Sequence, residues 1–557
     1  MSPRLPRLWL SLTLAAAAAG CAAKATEVAP PPAHAGPATT QRGPLSVRLL
    51  AFNDFHGHLK PPPGHVHGVT GDVGGAAYFA AHLKRLGAGS PNTLVVAAGD
   101  LVGGSPLTSA LFHDEPTVLA MNAMGLDVTS MGNHELDEGM PELLRLARGG
   151  CHPKDGCGLG TTFPGARYAI LGANVQEKAT GTRPLPPFVV REVEGIPIAF
   201  IGMPLEDTPG VVLPASVEGL KFDDEVKTVA SLVPTLKSRG VRTIVLLVHQ
   251  GGTVKGGGLD DCRELHGPIV KIVERLDPEV DVVVSGHTHA LYNCRVAGRP
   301  VTSALSFGRV ITTLDLTIDR TTRDVTSVVA KNHAVTHDVA PDAEVQAIVD
   351  RAAALAAPKE NRVVGRIKKT IRAATGASGE SPLGDLVADA QLAATKKNGA
   401  VLALMNTGGL RNDLVFERTP PETEDGQITY GEAFAAQPFG NTLVTLTLSG
   451  KELVSLLESE GHAGSPIQVS EGVSYRYRTK GPKLVTSLKV GGREVAPDDR
   501  LRVTVNSFMA ETMPILKRAP ERVGGGMDID ALESYFASRP VVEPAAVPRI
   551  ERDKDDE

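Results

Sequence analysis

Five short motifs of this chain combine carboxylate, imidazole and amide side chains. They are Asn53-Asp54-Phe55-His56-Gly57-His58, Gly99-Asp100, Gly132-Asn133-His134-Glu135, His249-Gln250-Gly251-Gly252 and Gly286-His287-Thr288-His289. Between them they offer Asp54, His56, Asp100, Asn133, His249, His287 and His289 as metal ligands. These donors suit hard-to-borderline divalent cations such as Zn, Mn, Co or Fe, and no thiolate belongs to the set. A carboxylate can bridge two ions, and Asp100, closing the run Leu94-Val95-Val96-Ala97-Ala98-Gly99, is the natural candidate. In Asp54-x-His56 and His287-x-His289 the two ligands are expected on one side of an extended segment, where residues two apart point alike. Taken singly, each Asp or His reads more simply as a hydrogen-bonded core residue or helix cap. Five such motifs in one chain point to metal chemistry. No Ser, Cys or Thr sits in a nucleophile motif, so water is the expected attacker.

The elements that must position these residues are short apolar runs. Strands are predicted at 47–52, 94–98, 128–131, 198–201, 243–248 and 282–285, and each motif directly follows one of them. Most are apolar along their length, as strands buried on both faces should be. Alternation with amphipathic stretches implies a layered α/β domain, and ligands in such folds gather beyond the carboxyl ends of the strands. The segment 342–357 (DAEVQAIVDRAAALAA) reads as a helix between two α/β blocks, and the second block carries strands near 401–405, 442–448 and 501–505.

At 557 residues, two domains plus flanking tails are expected. Apolar content of 42% with 22% charged residues describes a globular protein, and a net charge of −6 offers no basic field for a nucleic-acid polymer. Arg4 and Arg7 followed by an apolar stretch over 8–19 read as a targeting segment, too short to remain as a membrane span. The following Gly20-Cys21 resembles a bacterial lipoprotein cleavage site, which would place a lipid on Cys21 of an exported protein. The Ala- and Pro-rich stretch after it reads as a tether, and the terminal ERDKDDE as a disordered end. Ala22 after that Cys leans towards the outer membrane. Four cysteines remain, which allow three pairings; Cys151–Cys157 and Cys262–Cys294 are favoured, and no Cys-x-x-Cys spacing supports a thiolate zinc site.

The ordered set NDxHGH, GD, GNHE, HxGG and GHTH resembles the calcineurin-like metallophosphoesterases, and more narrowly the 5′-nucleotidase family. The resemblance implies an α/β/β/α sandwich at 45–340, an interdomain helix at 341–360 and a smaller α/β substrate-binding domain at 361–540. These would lie between a signal peptide (1–20) with its tether (21–44) and a disordered tail (541–557). It implies one metal on Asp54, His56, Asp100 and His289 and a second on Asp100, Asn133, His249 and His287. Many members carry Gln or Asn where this chain has His289. A water or hydroxide bridging the metals would attack phosphorus, with His134 stabilising the transition state or protonating the leaving oxygen and Asp137 orienting it.

In the second block, Glu380-Ser381-Pro382-Leu383-Gly384-Asp385, Asn406-Thr407-Gly408-Gly409-Leu410-Arg411, Pro438-Phe439-Gly440-Asn441 and Asn506-Ser507-Phe508 resemble that family's specificity domain. The resemblance implies that Phe439 and Phe508 clamp a base while Asn406, Arg411 and Asn441 line the cleft. Two departures stand out. The Gly-Gly-Asp-Gly turn that usually follows the second aromatic is replaced by Met509-Ala510-Glu511-Thr512, leaving Glu511 as the candidate substitute, and an Arg some members carry before ESxLG is absent. The leading expectation is an exported, metal-dependent phosphoesterase of nucleotides. The alternatives are a 2′,3′-cyclic phosphodiesterase/3′-nucleotidase, a UDP-sugar hydrolase, a thiohydrolase or a non-catalytic surface binding lipoprotein. Metal site and base clamp lie in different blocks, so these must close on one another to share a ligand.

Overall fold

The computed structural model describes residues 43–62, 65–418, 422–461, 466–480 and 484–554. The expected signal peptide, Cys21 and most of the tether lie outside the described residues.

The continuous apolar runs build the centres of two six-stranded sheets. In the first, strands Leu45–Phe52, Thr93–Ala97, Leu126–Ser130 and Ala169–Leu171 run parallel, and Val310–Ile318 and Val325–Ala334 add an antiparallel edge. In the second, Ile196–Pro204, Thr243–His249, Val282–Ser285 and Arg299–Ala304 are parallel, with Phe188–Val193 and Leu291–Val296 antiparallel at the edges. The inner faces meet through Leu49, Ala51, Val96 and Val128 from one sheet and Ile198, Phe200, Val245 and Leu247 from the other. Helices Ala76–Gly87 and Glu115–Met124 cover the outer face of the first sheet, and Glu225–Ser238 and Pro268–Arg275 that of the second. Most central strands are therefore buried along most of their length on both faces, which is why they read as apolar runs. The edge strands escape such a reading because they alternate: Val325–Ala334 buries only Val328 and Asn332.

Helix Ala343–Glu360 is capped by Asp342, whose side chain accepts from the Val345 amide. It turns Val345, Val349, Ala352 and Ala356 into the core of the first block, so it belongs to that block's packing as well as linking it to the second. Beyond it, strands Gln468–Val469, Leu402–Met405, Arg500–Asn506, Thr442–Ser449 and Val523–Met527 form a sheet in that order. Helix Pro382–Thr395 packs on it, with Ser381 as N-cap and proline in its first turn.

The chain's last segment departs from the expected disorder. Ile550–Arg552 pairs in parallel with Val473–Tyr477, and Ile550 is fully buried. Arg549 donates to both carboxylate oxygens of Asp389 (2.7 and 2.8 Å) and to the Val469 carbonyl, while its amide donates to Glu380. Only tertiary structure reveals this latch, since a three-residue strand among Pro, Ala and charged residues is too short to carry a periodicity. Arg549→Met is expected to cost about 3 kcal/mol in denaturant unfolding, because buried Asp389 loses its counter-charge.

The structure pairs Cys151 with Cys157 and Cys262 with Cys294. The loop closed by the first pair carries His152, stacked on His113 (centroids 3.7 Å apart), and Asp155, whose carboxylate accepts from His113 Nε2 (2.9 Å). His113 Nδ1 donates to Glu138 (2.8 Å), and this bond raises the imidazole to about 9. A raised imidazole contributes its stability fully below the unfolded value near 6.5 and loses it as pH climbs through 9. Because both carboxylates are substantially exposed, a loss of about 1 kcal/mol is expected over that interval. His113→Asn should flatten this slope in stability measured against pH.

Candidate active site

All five motifs leave the carboxyl ends of parallel strands and converge where the two sheets meet. His249 is the last residue of its strand; the others sit on the loops beyond their strands. The loops after Leu45–Phe52 and Thr93–Ala97 stay zipped beyond the sheet, with the amides of Asp54, His56 and Gly57 donating to the carbonyls of Gly99, Asp100 and Leu101. The extended geometry expected for Asp54-x-His56 and His287-x-His289 is not what forms. Asp54 (φ 50°), His56 (47°), Asp100 (51°), His287 (72°) and His289 (51°) all adopt left-handed backbone. The strands have already ended, and only a curled backbone turns consecutive side chains inward over the sheet edge. Such strain persists where surrounding bonds over-determine it.

The donors fall into two groups, Asp54 with His56 and His289, and Asp100 with His249 and His287. Asn133 joins the second group through its Oδ1, 3.0 Å from His287 Nδ1. His56 Nε2 lies 3.1 Å from His289 Nε2 and 3.6 Å from Asp100 Oδ2, and His249 Nε2 lies 2.9 Å from Asp100 Oδ2. Asp100 thus touches both groups. The outer nitrogens of two imidazoles are committed to backbone, His56 Nδ1 donating to Gly103 O and His249 Nδ1 to Ala98 O, both at 2.7 Å. Their Nε2 atoms therefore face inward, and buried His249 Nε2 has the Asp100 carboxylate beside it at 2.9 Å. Buried, inward-facing ring nitrogens beside carboxylates fit divalent cations, whose ligating histidines characteristically spend the second nitrogen in this way. Burial would raise the Asp100 carboxyl, but His249 and His134 outweigh it and hold Asp100 well below the usual range. Burial would likewise lower His249, and Asp100 outweighs it to lift the imidazole to about 10. That pairing marks the place where a cation would substitute for the proton.

Two positioning groups were not singled out from sequence. Glu135, buried within the GNHE motif, accepts from the amides of Asp100 (3.0 Å), Leu101 (2.8 Å) and Gly132 (2.5 Å), binding two motif loops together. Burial, with the charge of Asp100, pushes it up to about 7. Asn53 accepts from Ala304 N (2.7 Å) and donates to Leu305 O (2.8 Å) and Asp54 Oδ2 (2.6 Å). Both lie inside the ligand-bearing motifs, and that membership was the available signal.

A cavity of about 320 Å³ opens over this centre. His134 stands at its edge with Nδ1 3.0 Å from Asp137, whose carboxylate also accepts from Gly104 N (3.0 Å). Burial would lower His134, but Asp137 and Asp100 outweigh it and raise the imidazole. The opposite wall comes from the second domain: Asn406, Arg411, Phe439, Asn441 and Phe508 all line the same cavity. Arg411 donates to His134 Nε2 (2.9 Å), and Phe439 stacks on the His134 ring (5.6 Å, 22°). The two blocks therefore already meet in this conformation. Asn506 and the apolar residues Val211, Val212 and Leu213, at the end of the short helix Thr208–Val211 and just beyond it, also line the cavity, the last three without any signal in sequence. Glu511 does not: it pairs with Arg522.

Residues 47–291 match the family model for calcineurin-like phosphoesterases, and residues 363–517 that for the 5′-nucleotidase C-terminal domain. The chain belongs to the 5′-nucleotidase family of calcineurin-like phosphoesterases. Among members and relatives, the endonuclease YhcR of Bacillus subtilis is 33% identical over 508 residues, covering 89% of this chain and 40% of that protein. The cell wall protein Lmo0130 of Listeria monocytogenes is 31% identical over 503 residues, covering 84% of this chain and 63% of its own length. The chain thus spans less than two thirds of either relative. Among solved structures, the 5′-nucleotidase precursor from Thermus thermophilus aligns with a TM-score of 0.77 and 26% identity over 91% of this chain and 99% of that one.

Close packing around the centre supplies a sharp test. A Cβ at Gly132 would lie 2.2 Å from Asp100 Oδ1 and 2.7 Å from Asp100 N. Gly132→Ala is expected to displace Asp100 and lower bound metal severalfold, read by elemental analysis, while circular dichroism stays native.

Proposed function

We propose that this chain hydrolyses phosphoesters of nucleotides at a two-cation centre formed by Asp54, His56, Asp100, Asn133, His249, His287 and His289. The observation that carries the reading is the shared cavity. Ligand-type residues and His134 form one wall, and Arg411 with the two aromatic rings Phe439 and Phe508 forms the other. Cations bound there would lower the pKa of an attacking water and neutralise phosphoryl oxygens. The chain's own groups do the rest. Arg411 presents N–H donors to phosphoryl oxygens at the mouth of the centre. His134, oriented by Asp137, supplies a proton or hydrogen bond to the departing oxygen as the P–O bond breaks. Phe439 and Phe508 offer faces for a base.

A phosphodiester substrate is the second reading, favoured by the similarity to a protein named as an endonuclease. Export with a lipid on Cys21 is supported by the N-terminal residue pattern, by two cysteine pairs suited to an oxidising compartment and by the likeness to a cell wall protein. Turnover of AMP, a 2′,3′-cyclic nucleotide, UDP-glucose, p-nitrophenyl phosphate and its bis ester with Mn, Zn or Co separates these readings. Release of phosphate from AMP is expected; hydrolysis of simple esters alone would refute the base clamp. Asp100→Asn should abolish both turnover and stoichiometric metal. His134→Gln should lower kcat by about 10²–10⁴-fold with metal content unchanged.

A further inference from the structure

The second-domain wall shows a chain of hydrogen bonds that decides which atoms it can offer a ligand. Asn506 ends the strand Arg500–Asn506 and caps the next helical turn, its Oδ1 accepting from the amide of Met509 (2.8 Å). A backbone N–H can only donate, so the Asn506 oxygen must face Met509 and its Nδ2 must face the other way. That Nδ2 donates to Asn406 Oδ1 (2.9 Å). The oxygen of Asn406 is thereby engaged, and its own Nδ2, without a hydrogen bond among the described residues, is left for the cavity that Asn406 lines. Neighbouring groups offer no competing acceptor. Arg411 has only N–H donors, and Asn441 commits its Oδ1 to Ser507 Oγ (3.0 Å) and Phe508 N (3.2 Å) while its side chain also bonds the Asp528 carboxylate. Glu511, the carboxylate nearest Phe508 in sequence, is held by Arg522.

We infer that Asn506 is a positioning residue that fixes Asn406 as a hydrogen-bond donor, so that this wall reads acceptor atoms of its ligand. Those acceptors are base carbonyls, ring nitrogens or phosphoryl oxygens. This rests on the nucleotide reading given above and extends it to a residue with no part in metal binding.

Asn506→Asp separates the two duties of the side chain. Aspartate caps a helix as well as asparagine does, so the Met509 bond and the fold are retained. It offers Asn406 an acceptor where a donor stood, which turns the Asn406 amide over and points its oxygen at the ligand. Binding of adenosine 5′-phosphonate, which cannot be hydrolysed, to the metal-loaded protein is measured by calorimetry alongside kcat and KM for AMP. Asn506→Asp should weaken binding and raise KM about tenfold with kcat little changed. In an Asn406→Ala background the same substitution should change binding less than about twofold, because no amide remains to turn. An equal effect in both backgrounds, or none in the parent, would overturn the inference. Failure of the nucleotide reading has a different signature, a parent protein that does not bind the phosphonate. In that event KM for p-nitrophenyl phosphate across the same four proteins reads the same coupling, with the same two outcomes.

Discussion

Burial of Asp100 among imidazoles is the constraint on which the rest of this structure depends. A carboxylate that is 1% exposed must be surrounded by donors or cations, because an isolated buried anion is far too costly. Its backbone amide is held by Glu135, one side-chain oxygen accepts from His134 N, and the other faces His56 and His249. The imidazoles opposite it turn their outer nitrogens to main-chain carbonyls, so that their Nε2 atoms also converge. A centre built this way demands positive charge. The side chains of Asp54, His56, Asp100 and His249 are each held by further bonds to backbone groups.

That arrangement comes from the sandwich. Two sheets whose parallel centres are buried on both faces bring several strand termini to one edge, and the donors on the loops lie only two to four residues beyond their strands. Left-handed backbone at five of the donors is stable there because neighbouring loops hydrogen-bond to one another. The same closeness explains Gly99, Gly132 and Gly286 within the motifs, where a Cβ would crowd the side chains of His249, Asp100 and Asp54.

The second domain contributes direction where the first contributes charge. Arg411 and Phe439 reach across to His134, so this imidazole and the cleft residues form a continuous surface. Polar groups of this wall are oriented by caps and turns of their own domain: Asn441 holds the Phe508 turn, and Asn506 holds Asn406. The orientation of these side chains is thereby tied to local helix-cap geometry.

Sequence alone picked out the carboxylate, imidazole and amide side chains that the fold gathers and most of the parallel strands that carry them, because doubly buried strands tend to be apolar runs and candidate cation ligands are a narrow set of side chains. Asp54, Asp100 and His249 were legible for that reason, as were their places after strands. The tertiary structure decided the remainder. The curled backbone at Asp54 and His287, the tie from Glu135 to Asp100, the apolar wall at Val211–Val212–Leu213, the latch at Arg549 and the orientation of Asn406 all depend on partners far along the chain. No local pattern encodes a bond between residues a hundred positions apart. Periodicity reports which side of an element is buried, and only the assembled fold reports what it is buried against.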